Sequence, residues 1–292
     1  MAGPLRVERD VSVAAWLADA LSWESTLAVI VPPIFDAYAR ILHPATLQTP
    51  TGRTDAWGGP ELDARDLRWD EAAALVGERQ GESPFTAWEA RFGSGALDLP
   101  DGRSITEPHL GDIPVGTLAH LAALLVDEHG DAEVLAAVWE GSGLDQSGIG
   151  WMFFPGPGEP PLTAQQERAL EAEHRAAFEA SIDPEVRAAM AERALLQLPG
   201  RDHVLLRGRL EAFADPAWER AAGLGWRPGV GGEGRTPNAL WPAEPPGAPA
   251  WFVATDVDLD VTLVGGSAHL IGRVLGHPAL EAERIRPTDP LV

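Results

Sequence analysis

The chain has 292 residues, 45% hydrophobic and 23% charged, which is enough apolar mass to bury a core and makes disorder an unlikely default. Its 44 acidic residues face 22 basic ones, every one of them Arg, for a formal charge of −22, a field that disfavours binding to phosphate backbones and to anionic membranes. The lack of Cys excludes disulfides, thiolate nucleophiles and Cys-ligated zinc or iron–sulfur centres.

Residues 1–13 carry Arg6, Glu8, Arg9 and Asp10 where a secretory leader needs an apolar stretch. No later run approaches a membrane span, so a cytoplasmic protein is expected. The spacing of Trp16, Leu17 and Leu21 predicts a helix over 14–21 capped by Ser12. The β-branched run at 27–31, stopped by Pro32 and Pro33, predicts a buried strand, and 37–43 a strand beside it. Prolines, glycines and polar residues predict a loop over 46–60.

Helices are expected at 69–76, with Asp70 and Glu71 in the first turn, and at 85–92, followed by a loop over 93–111. Pro114 opens the clearest helical pattern, with Leu118, Leu121, Leu125 and Val126 on one face as far as Gly130. A strand at 134–139 leads into the glycine-rich 141–150. The stretch 163–196 predicts two helices, the first with a capping box of Thr163 and Gln166, the second started by Asp183 and Pro184. Strands are expected at 203–210 and 250–256, a short helix at 216–224, a long loop at 225–249, a helix at 267–275 and a closing strand at 282–285. Without a βαβ cycle or a fixed repeat, the pattern predicts an α+β fold. It has a mixed or antiparallel sheet packed with helices, in a single domain over 1–292 or two closely packed halves, with a helical insertion at 157–197.

At YARILHPA (38–45), LWP (240–242) and WFVATDVDLDVTLVGGSAHLI (251–271) the chain resembles a family of uncharacterised actinobacterial proteins. The likeness runs from the first strand pair to the end, with the helical stretch as extra material. It implies an intracellular bacterial protein and assigns no residue a role.

The strongest chemical candidate is DVDLD. In an extended chain Asp256, Asp258 and Asp260 point to one side and could hold Mg²⁺ or Ca²⁺, the one cofactor type suggested, since nothing points to a nucleotide or flavin. The run fails the calcium-loop pattern at Val261 and Ser267, and a solvated strand end accounts for the same residues. Gly265, Gly266 and Ser267 read as a turn and helix cap rather than an anion cradle, with no Lys to complete a phosphate loop. The GxGxxG match at 229–234 lacks a flanking strand and helix. No GxSxG or HExxH occurs, and the eight His residues form no close pair marking zinc.

Eleven Trp residues are many for this length, and Trp57, Trp226 and Trp241 fall in Gly/Pro-rich stretches where they could anchor a partner or pin loops to the core. Two functional expectations follow. The first is a non-enzymatic intracellular protein that binds another protein through aromatic loops and an acidic surface, without nucleic acid or membrane. The alternative is a metal-dependent, hydrolase-like enzyme using Asp256, Asp258 and Asp260.

Overall fold

A computed structural model of the chain describes residues 3–22, 26–55, 58–78, 84–141, 144, 160–198, 200–227 and 235–291. In chain order the elements are β1 (Leu5–Val7), α1 (Trp16–Ala20), β2 (Ala37–Leu42), β3 (Ala45–Thr54), β4 (Pro60–Leu67), α2 (Trp69–Val76) and α3 (Ala87–Phe92). Then come β5 (Leu97–Asp98), β6 (Ser104–Thr106), α4 (Val115–His129), β7 (Glu133–Trp139), α5 (Ala164–Ser181), α6 (Pro184–Ala191) and β8 (Leu196–Leu198). The last are β9 (Arg201–Arg209), β10 (Ala239–Pro242), β11 (Phe252–Ala254), β12 (Val261–Gly266), α7 (Ala268–Leu275) and β13 (Ala282–Ile285).

A nine-stranded antiparallel sheet runs in the order β1, β9, β7, β10, β11, β12, β2, β13, with β8 paired to the start of β9. A second antiparallel sheet of four strands runs β4, β3, β6, β5. The α+β class is therefore as expected. The large sheet is apolar on both faces because successive strand residues point to opposite sides. On β7, Val134, Ala136 and Val138 join one core while Leu135 and Ala137 join another. The first core is closed by Leu118, Leu121 and Leu125 of α4 and by Leu270, Ile271 and Val274 of α7. The second is closed by the four-stranded sheet (Leu47, Leu67, Ile105), by Trp69 of α2, and by Trp88 and Phe92 of α3. The large sheet is thus the middle of three layers.

Local signals landed where side chain and backbone act together. The capping box of Thr163 and Gln166 forms both ways, Asp183 accepts from the amide of Glu185, and Ser267 accepts from that of Leu270 at 3.1 Å. The helical stretch is not a bystander, because Phe178, Ile182 and Val186 belong to the α4 core and the chain runs on into β8.

Several readings need correction: α1 starts after Ala15 with no side-chain cap, so Ser12 does not cap it, and the loop expected at 93–111 contains β5 and β6. The segment at 27–31 is a 3-10 turn over Leu27–Val29, not a strand; the amides of Leu27 and Ala28 donate to the carbonyls of Asp289 and Pro287. The expected loop at 46–60 is mostly β3 and β4, a long hairpin. The loop expected at 225–249 contains β10, a central strand flanked by β7 and β11. Among the described residues, no helix is long and apolar enough to cross a membrane.

Candidate functional site

The aspartate run is a turn between β11 and β12, not an extended strand, and its carboxylates diverge. Arg201 donates from Nη1 to Asp256 Oδ2 at 2.6 Å and from Nη2 to Asp258 Oδ2 at 2.8 Å, while its guanidinium lies 5.2 Å over the Trp139 ring. One cation therefore pins the turn to the start of β9. Asp260 points elsewhere, fully buried, and accepts from the amides of Trp88 at 2.7 Å and Ala87 at 3.2 Å, fastening the first turn of α3. Burial pushes its carboxyl up, opposed by the amide of Trp88, the Thr86 hydroxyl and the amide of Ala87. The one-sided carboxylate face expected from alternation is corrected: two acids are occupied by Arg201 and the third is structural. Among the described residues no group of three or more His, Asp or Glu is placed to hold a metal.

Beside this clamp, Arg201, His203, Asn238, Thr255 and Asp256 line a cavity of about 60 Å³. His203 is 6% exposed and its buried Nδ1 has no hydrogen-bond partner among the described residues. Burial pushes its pKa down to about 4, against the pull of the Arg201 carbonyl, so the ring is neutral at neutral pH. His43, fully buried, is likewise lowered to about 4 by burial. Its Nδ1 faces the His109 carbonyl at 3.2 Å, which can only accept, so Nδ1 carries the proton and Nε2 takes one from Thr262 Oγ1 at 2.8 Å. Thr255 Oγ1 lies 2.6 Å from Thr262 Oγ1 and extends the chain.

The glycines before α7 serve packing. A Cβ on Gly265 would meet Phe35 at 2.5 Å, and one on Gly266 would meet Leu270 at 2.7 Å. His269 is a surface residue 3.5 Å from Glu128.

The three tryptophans separate. Trp241 is on β10 rather than in a loop, 1% exposed, stacked on Phe252 at 5.5 Å and edge-on to Trp16 at 6.5 Å, so it is a core residue. Trp226 is half-buried with Arg220 over its ring at 5.6 Å. Trp57 lies outside the described residues, as does the GxGxxG stretch at 229–234.

The surface that sequence reasoning missed is the β3–β4 hairpin, an exposed arm. Near its base, Ala45, Leu47 and Leu67 belong to the second core. From Thr49 onward nearly every described residue of the ribbon is exposed, on both faces, until Leu67. On β4, Leu62, Ala64 and Asp66 share one face and Glu61, Asp63 and Arg65 the other. Among the described residues β4 pairs only with β3, which leaves its outer edge open. Arg53 holds Glu61 through two bonds of 2.5 and 2.7 Å, and Arg65 reaches Glu71 at 2.9 Å. Asp63 and Asp66 make no ion pair among the described residues. The threonines at 49, 51 and 54 and the pair Gly58-Gly59 were the available hairpin signals, masked because two wet faces leave no apolar alternation.

No family model, curated protein or solved structure matches the chain.

Proposed function

We propose that the protein is a non-enzymatic binding protein that receives a basic, extended segment of another protein along the open edge of β4. The observation that carries this reading is the ribbon itself: a strand exposed on both faces up to the buried Leu67, with one edge unpaired among the described residues. A two-stranded ribbon gains little from its own burial, and an edge strand offers a row of amides and carbonyls to an added strand. Acidic side chains on such an edge deter self-pairing, since a second copy would bring the same charge, and they favour a basic strand. The formal charge of −22 adds long-range attraction for a basic partner. The setting in which this occurs is proposed to be the cytoplasm, in keeping with the charged residues Arg6, Glu8, Arg9 and Asp10 near the start of the sequence.

The test is affinity capture from cells with wild type and the double variant Asp63→Arg, Asp66→Arg, followed by binding of the identified partner in purified form. Wild type should bind with an affinity that falls as salt rises, the arm variant should lose it, and Glu173→Arg on α5 should leave it intact. Equal binding by all three proteins would remove the arm from the interaction.

A further inference from the structure

A second concavity, remote in sequence from the arm, presents an exposed arginine at its rim. A groove of about 790 Å³ is walled by two helices: Arg175, Phe178 and Glu179 on α5 with Ile182 just past its end, and Arg187, Met190 and Ala191 on α6. Those intervals of three and four residues put each set on one helix face. Glu140, Gly141, Leu144 and Arg193 are the other described lining residues. Among the described residues the lining carries three Arg and two Glu, in a chain of −22. The groove beside α4 carries Asp66 and Glu281 against Arg68, and the cavity at His203 carries Arg201 against Asp256.

The arginines differ in availability. Arg175 bonds Glu171 at 2.8 Å, and Arg193 bonds Glu140 at 2.7 Å as well as Asp202. Arg187 is exposed and makes no ion pair among the described residues. Arg193 also holds a left-handed backbone, φ 58°, just past the end of α6, a position where Gly or Asn is the easier residue. Its two ion pairs fix the side chain at the rim all the same. The floor is apolar and aromatic: Phe178 and Ile182 are buried, and Arg227 lies 5.4 Å over the Phe178 ring.

We propose that this groove binds a small organic anion, a carboxylate or phosphate at the Arg187 rim with an apolar body laid on Phe178, Ile182 and Met190. The volume falls within the range of small-molecule sites, and guanidinium groups match planar anions through paired bonds. Its ligand and its residues are separate from those of the β4 edge, so the two readings stand or fall independently.

Calorimetry with phenylbutanoate, phenylbutyl phosphate and the neutral phenylbutanol tests it on the full chain. At least one of the two anions should bind at a single site, with phenylbutanol much weaker. Arg187→Glu should weaken the anion by about tenfold or more, and Arg187→Lys should restore part of the loss. Preference between carboxylate and phosphate identifies the head group. Absence of heat with both anions, equal binding of the alcohol, or unchanged affinity in a folded Arg187→Glu protein would overturn the proposal.

Discussion

Acidification should destabilise this protein before its carboxylates titrate, through His43 and His203. Both rings are buried and neutral, with pKa values lowered to about 4 from an ordinary 6.5. Between those values the unfolded chain binds protons that the folded chain refuses, so stability is complete above pH 6.5 and falls as pH drops toward 4. At pH 5.0 each ring costs about 2 kcal/mol relative to pH 7.5, about 4 kcal/mol together, a large part of a typical folding free energy. His129 and His277, lowered chiefly by burial, add in the same direction. Asp260, raised by burial, opposes, because its folded form takes up a proton more readily than the unfolded one. Urea unfolding at the two pH values measures the loss, in wild type and in His43→Asn, His203→Leu. At pH 7.5 His203→Leu alone should cost less than His43→Asn, which breaks the bonds to both Thr262 and His109. A double variant that loses as much stability on acidification as wild type would refute the reasoning.

Other perturbations follow from the same contacts. Trp241→Ala removes a ring packed between Phe252 and Trp16 and should cost about 3–5 kcal/mol, seen as a lowered unfolding midpoint. Asp260→Ala strands two buried amides at the start of α3 and should cost about 2–4 kcal/mol, with Asp260→Asn milder; hydrogen exchange should quicken at residues 87–88. Arg201→Gln releases a half-exposed clamp and should cost only about 1 kcal/mol, while millimolar Mg²⁺, Ca²⁺ or Mn²⁺ should leave the wild-type melting temperature unchanged because Arg201 already occupies both carboxylates. A metal shift abolished by Asp258→Asn would restore the aspartate run as a site.

Features set by neighbours in sequence were legible. Thr163 with Gln166, Asp183 with Pro184, and Ser267 each cap the helix that follows them, and Pro114 to Gly130 brackets α4. What escaped depends on distant partners. Leu27–Val29 has strand composition, but its amides are taken by the C-terminal segment in a turn geometry. The short β10 is hidden between Gly- and Pro-rich stretches and is a strand because β7 and β11 flank it. Alternation assigned Asp256, Asp258 and Asp260 to one face, whereas Arg201 and the amides of α3 draw them apart. Of the site candidates, Trp241 was misplaced by reading β10 as a loop, and the exposed arm gave no periodic signal at all.

The most direct test of the binding surface is a photoreactive residue placed at Ala64, exposed on β4, with a second placed at exposed Ala172 on α5 as the comparison. Irradiation in cells should give a discrete adduct with a basic protein from position 64 and none from 172. No adduct at 64, or the same adducts from both positions, would contradict a partner seated on the β4 edge.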